Sequence, residues 1–174
     1  MPAVPVSHFG RGRFIFIRME IREANDSDVA AILKLMRDFA AFEKLEQYFE
    51  ATEERMREAL FGIDAVAQAL LAESNGVPAG YAIFFPYFAT FRGQKGYYLE
   101  DLYVDPTFRG TGVGESMVRR IAAKGRERGF ERIDFQVLEW NSRAVRFYEK
   151  LGAERDDTER HFKFTDEAFR RLAE

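Results

Sequence analysis

Residues 97–129 pass from strand-like sequence through a glycine loop into helix-like sequence, and this passage restricts the possible folds more than any other stretch. Residues 97–104 are rich in aromatic and branched side chains, and Asp105-Pro106 stops them as a turn. Apolar positions then recur at Val113, Met117, Val118, Ile121 and Ala122 with helical spacing. Between the two lies Arg109-Gly110-Thr111-Gly112-Val113-Gly114. The first amides of a helix have no partners within it and carry the positive end of its dipole, and glycine lets backbone close on a ligand. Such a loop is either a seat for phosphate or a tight turn opening an amphipathic helix.

Two familiar phosphate loops do not fit. A Walker loop ends in Gly-Lys-Ser or Gly-Lys-Thr, where this chain has Gly114-Glu115-Ser116. A dinucleotide fingerprint would put its third glycine at position 115, which is Glu115, and would lie in the first strand-to-helix turn of its domain.

Arg109-x-x-Gly112-x-Gly114 after a strand ending at Val104 resembles the pyrophosphate-binding motif of the GNAT superfamily of acetyl-CoA-dependent N-acetyltransferases. Residues 137–142, Val-Leu-Glu-Trp-Asn-Ser, and 147–153, Phe-Tyr-Glu-Lys-Leu-Gly-Ala, are similar to its later motif, an Asn opening a helix that ends in Phe-Tyr before a Gly. Tyr98-Leu99-Glu100-Asp101 with Glu139-Trp140-Asn141 resembles the spermidine/spermine branch, which includes thialysine acetyltransferases. The similarity covers residues 19 to about 164. One departure concerns the acceptor: polyamine enzymes carry a Trp shortly before the Arg of their last strand, and this chain has a shorter Asp157-Thr158-Glu159-Arg160. Lysine analogues and other small primary amines therefore stay open beside polyamines.

The 174 residues, 47% hydrophobic and 32% charged, suit one globular domain with a real core. There is no cysteine, which excludes disulfides, a cysteine nucleophile and thiolate metal sites, and only His8 and His161 are available for histidine chemistry. These absences favour a reaction whose reactive group arrives on a cofactor, and no metal is expected. The net charge of −3 argues against nucleic acid and suits a cationic substrate, and no apolar run spans a membrane.

Residues 1–18 read as an extension without the pattern of a secretory signal, the alternative being that residues 14–17 lengthen the first strand, and residues 19–174 as a single domain beginning with a strand at 19–24. Asn25 with Asp28 caps a first helix whose apolar face is Val29, Ile32, Leu33, Met36, Phe39 and Ala40. An acidic, aromatic segment from Glu43 to Glu54 follows, either a solvated face or the mouth of an amine site, and Thr52 caps a second helix ending near Gly62. Strands are expected at 66–72 and 81–85 around a hairpin at Asn75-Gly76, with Pro86 ending the second. After the central strand and helix, Gly129 ends that helix and residues 133–137 alternate as a strand. Asn141 caps a helix over 142–150 that Gly152 closes, residues 153–156 and 161–164 suggest a final antiparallel pair, and 166–173 a terminal helical turn. This order fits a mixed α/β sheet with helices on both faces, as in the GNAT fold, and the resemblance implies that the sheet is mostly antiparallel and splayed at the cofactor strand.

Acetyl transfer needs an uncharged nitrogen, while a lysine-like amine has a pKa of about 10.4, so neutrality at pH 7 costs roughly 4.6 kcal/mol. A base acting through water can take that proton. The resemblance implies Glu100 for this task and for substrate contact, the alternative being a surface acid. A regular strand would turn Asp101 to the opposite face. Tyr148 matches the tyrosine that the family places beside the cofactor sulfur, the alternative being a side chain packed with Phe147. By resemblance, Leu102, Tyr103 and Val104 offer backbone groups to pantetheine; Arg109, Gly110, Thr111, Gly112, Val113 and Gly114 hold the pyrophosphate; and Asn141, Ser142, Arg143 and Ala144 contact the cofactor arm. Phe135 and Gln136 carry over to the acceptor pocket. The implied activity is direct transfer from acetyl-CoA to a small cationic amine, by a cytoplasmic homodimer. The alternatives are a protein N-terminus or lysine as acceptor, and a non-catalytic acyl-CoA-binding module.

Overall fold

The computed structural model describes residues 19–158 and 161–174, so the expected extension at 1–18 lies outside the described residues. The chain divides into two compact units, one ending at Gln136 and the other running from Val137 to Glu174.

The first unit is a five-stranded sheet in chain order, β1 (Met19–Glu23), β2 (Gln68–Ser74), β3 (Val77–Ala89), β4 (Gln94–Val104) and β5 (Arg132–Phe135). The first three pairings are antiparallel and the last is parallel. Asn75 and Gly76 both take positive φ, 50° and 78°, the geometry of the tight hairpin turn that Asn-Gly favours.

Helices α1 (Val29–Glu43) and α2 (Glu53–Phe61) cover one face, where Ile32, Leu35 and Leu60 pack with Ala69, Leu71, Tyr81, Ile83 and Tyr103. Alternation sends Leu70, Ala72, Ala82, Phe84, Tyr97 and Leu99 to the other face, where α3 (Val113–Glu127) buries Met117 and Ile121. The capping signals hold: Asn25 and Asp28 form the capping box, and the Thr52 hydroxyl accepts from the Arg55 amide. Gly129, at φ 70°, follows the end of α3.

Pro86 does not end β3, which continues to Ala89. The last β2 partner of β3 is Phe84, so Pro86 lies where β3 has a strand neighbour on one side only, and a missing N–H is tolerated there.

The second unit holds α4 (Ser142–Lys150) and α5 (Asp166–Leu172). The expected pair at 153–156 and 161–164 does not form among the described residues. Asp156 instead accepts from the amide and hydroxyl of Thr158, a local turn that takes the place of ladder bonds, and Phe162 and Phe164 stay exposed.

Candidate active site

β4 and β5 run side by side only from Gly96 opposite Arg132 to Leu99 opposite Phe135. β4 then continues through Glu100, Asp101, Leu102, Tyr103 and Val104 with β3 on one side and no strand on the other among the described residues. The sheet is thus open along the segment where Leu102, Tyr103 and Val104 could offer backbone groups to a ligand. Phe135 closes the paired stretch and Gln136 lies just beyond it.

Glu100 sits at the opening. Against β3, Leu99 faces Phe84 and Asp101 faces Ile83, so Glu100 is the extra residue of a β-bulge. Bulges break the alternation of a strand and re-aim its side chains, and this one corrects the expectation that a regular strand separates Glu100 from Asp101. The Asp101 carboxyl is pushed up to about 6, chiefly by burial and further by the charge of Glu100, with the Tyr81 hydroxyl, which donates to it at 3.1 Å, opposing the rise.

Glu43, at the end of α1, joins this acid set: burial and then the charge of Asp101 raise its carboxyl above the usual range. Of the acidic segment, Glu43 is the member that turns inward. Glu46, Glu50, Glu53 and Glu54 are exposed, which is the solvated-face reading. Asp101 was not legible as a site residue because its placement depends on the bulge.

The glycine loop follows β4 through a turn in which Asp105 accepts from the Thr107 amide. Gly110 and Gly112 have φ of 80° and 84°, and a Cβ at either would meet nothing within 4 Å. Conformation rather than crowding demands glycine at both, and the space before α3 stays open. Gly112 supplies no side-chain cap, Gly114 lies in the first turn, and buried Val113 pins the start of α3 to the core. The Thr111 hydroxyl donates to Phe108 O at 2.7 Å. Arg109 turns back: its Nε donates to Val104 O at 2.8 Å and its guanidinium lies over the Phe42 and Tyr103 rings. The uncapped amides, the two left-handed glycines and the open sheet edge fit a pyrophosphate with an extended arm.

In the second unit, the Asn141 side chain accepts from the Ala144 amide at 3.1 Å and starts α4. Ser142 and Arg143 are exposed in its first turn, and Tyr148, two turns on, is half-buried with its ring 4.9 Å from Phe147.

Residues 30–153 match the model of the acetyltransferase (GNAT) family. The chain belongs to this family. It is an N-acetyltransferase, and the family uses acetyl-CoA as co-substrate. Thialysine N-epsilon-acetyltransferase of Bos taurus is 36% identical over 165 residues, covering 88% of this chain and 96% of the relative. L-ornithine N5-acetyltransferase of Arabidopsis thaliana is 27% identical, covering 77% of this chain and 78% of the relative. Among solved structures, an aminoglycoside acetyltransferase from an uncultured soil metagenomic sample superposes with a TM-score of 0.72, at 18% identity, covering 86% of this chain and 97% of that one, a likeness of fold. Among the described residues, no helix is long and apolar enough to cross a membrane.

Proposed function

We propose that this enzyme moves the acetyl group of acetyl-CoA directly to the primary amine of a small cationic acceptor, lysine-like or polyamine. The observation that carries this reading is the bulge that sets Glu100 where β4 leaves β5, with Asp101 and Glu43 on the neighbouring surface. Relatives named for thialysine and ornithine support it. Acetyl-CoA supplies a thioester whose carbonyl carbon takes the amine.

Glu100 is the group we assign to removal of the ammonium proton through water. Asp101 and Glu43 hold positive charge beside it, and Asp101 does so once ionised above about pH 6. The amides of Gly110, Thr111, Gly112, Val113 and Gly114 hold the pyrophosphate, with Arg109 bracing their loop against Val104. Leu102, Tyr103 and Val104 present the open strand edge to the pantetheine arm. Phe135 and Gln136 border the acceptor.

In α4, Asn141 fixes the first turn with Ser142, Arg143 and Ala144, and Tyr148 offers a hydroxyl to the departing sulfur. A tyrosine near pKa 10 is a weaker acid than a thiol near 8.5, so full transfer is uphill by about 2 kcal/mol and hydrogen bonding comes first. Thiol release from acetyl-CoA across a panel of lysine analogues, polyamines, arylamines and peptide N-termini tests the reading. Turnover confined to arylamines or peptides would overturn it.

A further inference from the structure

Beyond the acids, the same face of the sheet continues into a cluster built by three strands. Ile83, Phe85 and Tyr87 alternate along β3 on the side that faces α1. Phe85 stacks on Tyr98 at 5.3 Å, and Tyr87 meets Tyr98 edge-on at 6.3 Å. On β5, Asp134 stands opposite Tyr98 and Arg132 opposite Gly96.

Arg132 binds Asp134 in bidentate fashion: Nε donates to Oδ1 at 3.0 Å and Nη2 to Oδ2 at 2.8 Å. The Tyr87 hydroxyl donates to the same carboxylate. Gly96 makes this possible, since a Cβ there would lie 2.6 Å from Arg132 Cγ and 2.8 Å from a Tyr87 ring carbon. Asp134 therefore spends its acceptor capacity within the cluster and acts as a brace. Arg132, which also meets Tyr87, keeps part of its donor capacity: Nη1 takes no part in the bonds to Asp134, and the side chain remains 31% exposed.

The result is a cation fixed at the end of this face away from Glu43, Asp101 and Glu100. Tyr98 lies between the two ends, its hydroxyl pushed above the ordinary range by burial and then by the charges of Glu100 and Asp134. Arg132 starts opposite Gly96, four residues of β4 or about 13 Å from Glu100, and its guanidinium reaches back to Asp134, which stands opposite Tyr98, two residues or about 6.6 Å from Glu100. An extended lysine-like acceptor separates its side-chain nitrogen from its carboxylate by about 7 Å, with bonds of ~1.5 Å. A polyamine of that length would bring its second cation to the Arg132–Asp134 pair, where both carboxylate oxygens are already bonded and no acceptor is left for it.

We propose that Arg132, held by Asp134, Tyr87 and the gap at Gly96, binds the carboxylate of the acceptor, so that the enzyme selects amino acids with a side-chain amine over diamines of equal length. The proposal rests on the reading that the acceptor amine meets Glu100.

The test is steady-state kinetics on L-lysine against 1,5-diaminopentane and L-ornithine against 1,4-diaminobutane, each pair differing by the carboxylate alone. Wild type should favour the amino acid of each pair by at least about tenfold in kcat/KM, as one charge-assisted pair allows. Arg132→Gln should raise KM for the amino acids by about 10- to 100-fold with kcat nearly kept and leave the diamines unchanged or improved, while Arg132→Lys falls between. A merely structural clasp would instead lower both members of each pair together. Equal use of both members by wild type, or equal losses in Arg132→Gln, overturns the proposal with the amine-acceptor reading intact. If Arg132→Gln fails to fold, wild type and Arg132→Lys decide by the same ratios. If wild type acetylates none of the four but turns over arylamines or peptides, the acceptor reading itself fails and takes this one with it.

Discussion

Asp101 is pulled in opposite directions by burial and by the Tyr81 hydroxyl, and burial wins, leaving its carboxyl at about 6. An acid whose folded-state pKa lies above the unfolded value near 3.8 contributes stability that is fully present below about pH 4 and is lost as pH rises through about 6. Asp101→Asn keeps an acceptor for Tyr81 and removes the titration. Urea unfolding at pH 4 and pH 7 should show the variant gaining on wild type by about 1–3 kcal/mol between the two. The comparison cancels shared groups such as Asp28, whose carboxyl Arg22 holds low. A gap that does not change with pH would show a carboxyl titrating normally. Tyr148 is tested by rate: Tyr148→Phe should lower kcat by roughly 10²- to 10⁴-fold with little change in the KM for acetyl-CoA, because a bond to the departing sulfur forms mainly in the transition state. Near-normal turnover with chemistry rate-limiting would leave Tyr148 as the packing partner of Phe147.

Helix α3 carries matching glycines at its two ends, Gly112 with φ 84° and Gly129 with φ 70°, neither crowded. A Cβ in the left-handed region costs about 1–2 kcal/mol at either place, so Gly112→Ala and Gly129→Ala should lower the melting temperature alike. Calorimetry should find weaker CoA binding in Gly112→Ala alone; equal affinity in the two variants would remove the loop from the cofactor seat. These ends were legible in sequence because capping and turn signals are local, as were Asn25, Thr52, Asn75-Gly76 and Asn141. Pro86 was misread because what it does to β3 depends on how far β2 reaches. The bulge at Glu100 was invisible because it exists only in the register between β3 and β4. Glu100 could thus be named from its motif, whereas the surroundings that make it one of a set, Asp101 and Glu43, needed the fold.

At the scale of the whole molecule, a net charge of −3 and an acid set beside the open edge of the sheet favour cationic acceptors over neutral ones. That attraction should be screened by salt, since the Debye length shrinks to about 3 Å at 1 M. Raising sodium chloride from about 0.02 to 0.5 M should lower kcat/KM several-fold for lysine-like amines and hardly alter it for an uncharged arylamine. Salt alone does not separate attraction from proton removal, but pH does. In Glu100→Gln the loss of kcat/KM should be largest at neutral pH, where the amine still has to give up a proton, and should shrink as pH approaches the amine's own value of about 10.4. A loss that stays constant across that range would mean that Glu100 binds positive charge without acting as the base, and the proton would have to leave by another route.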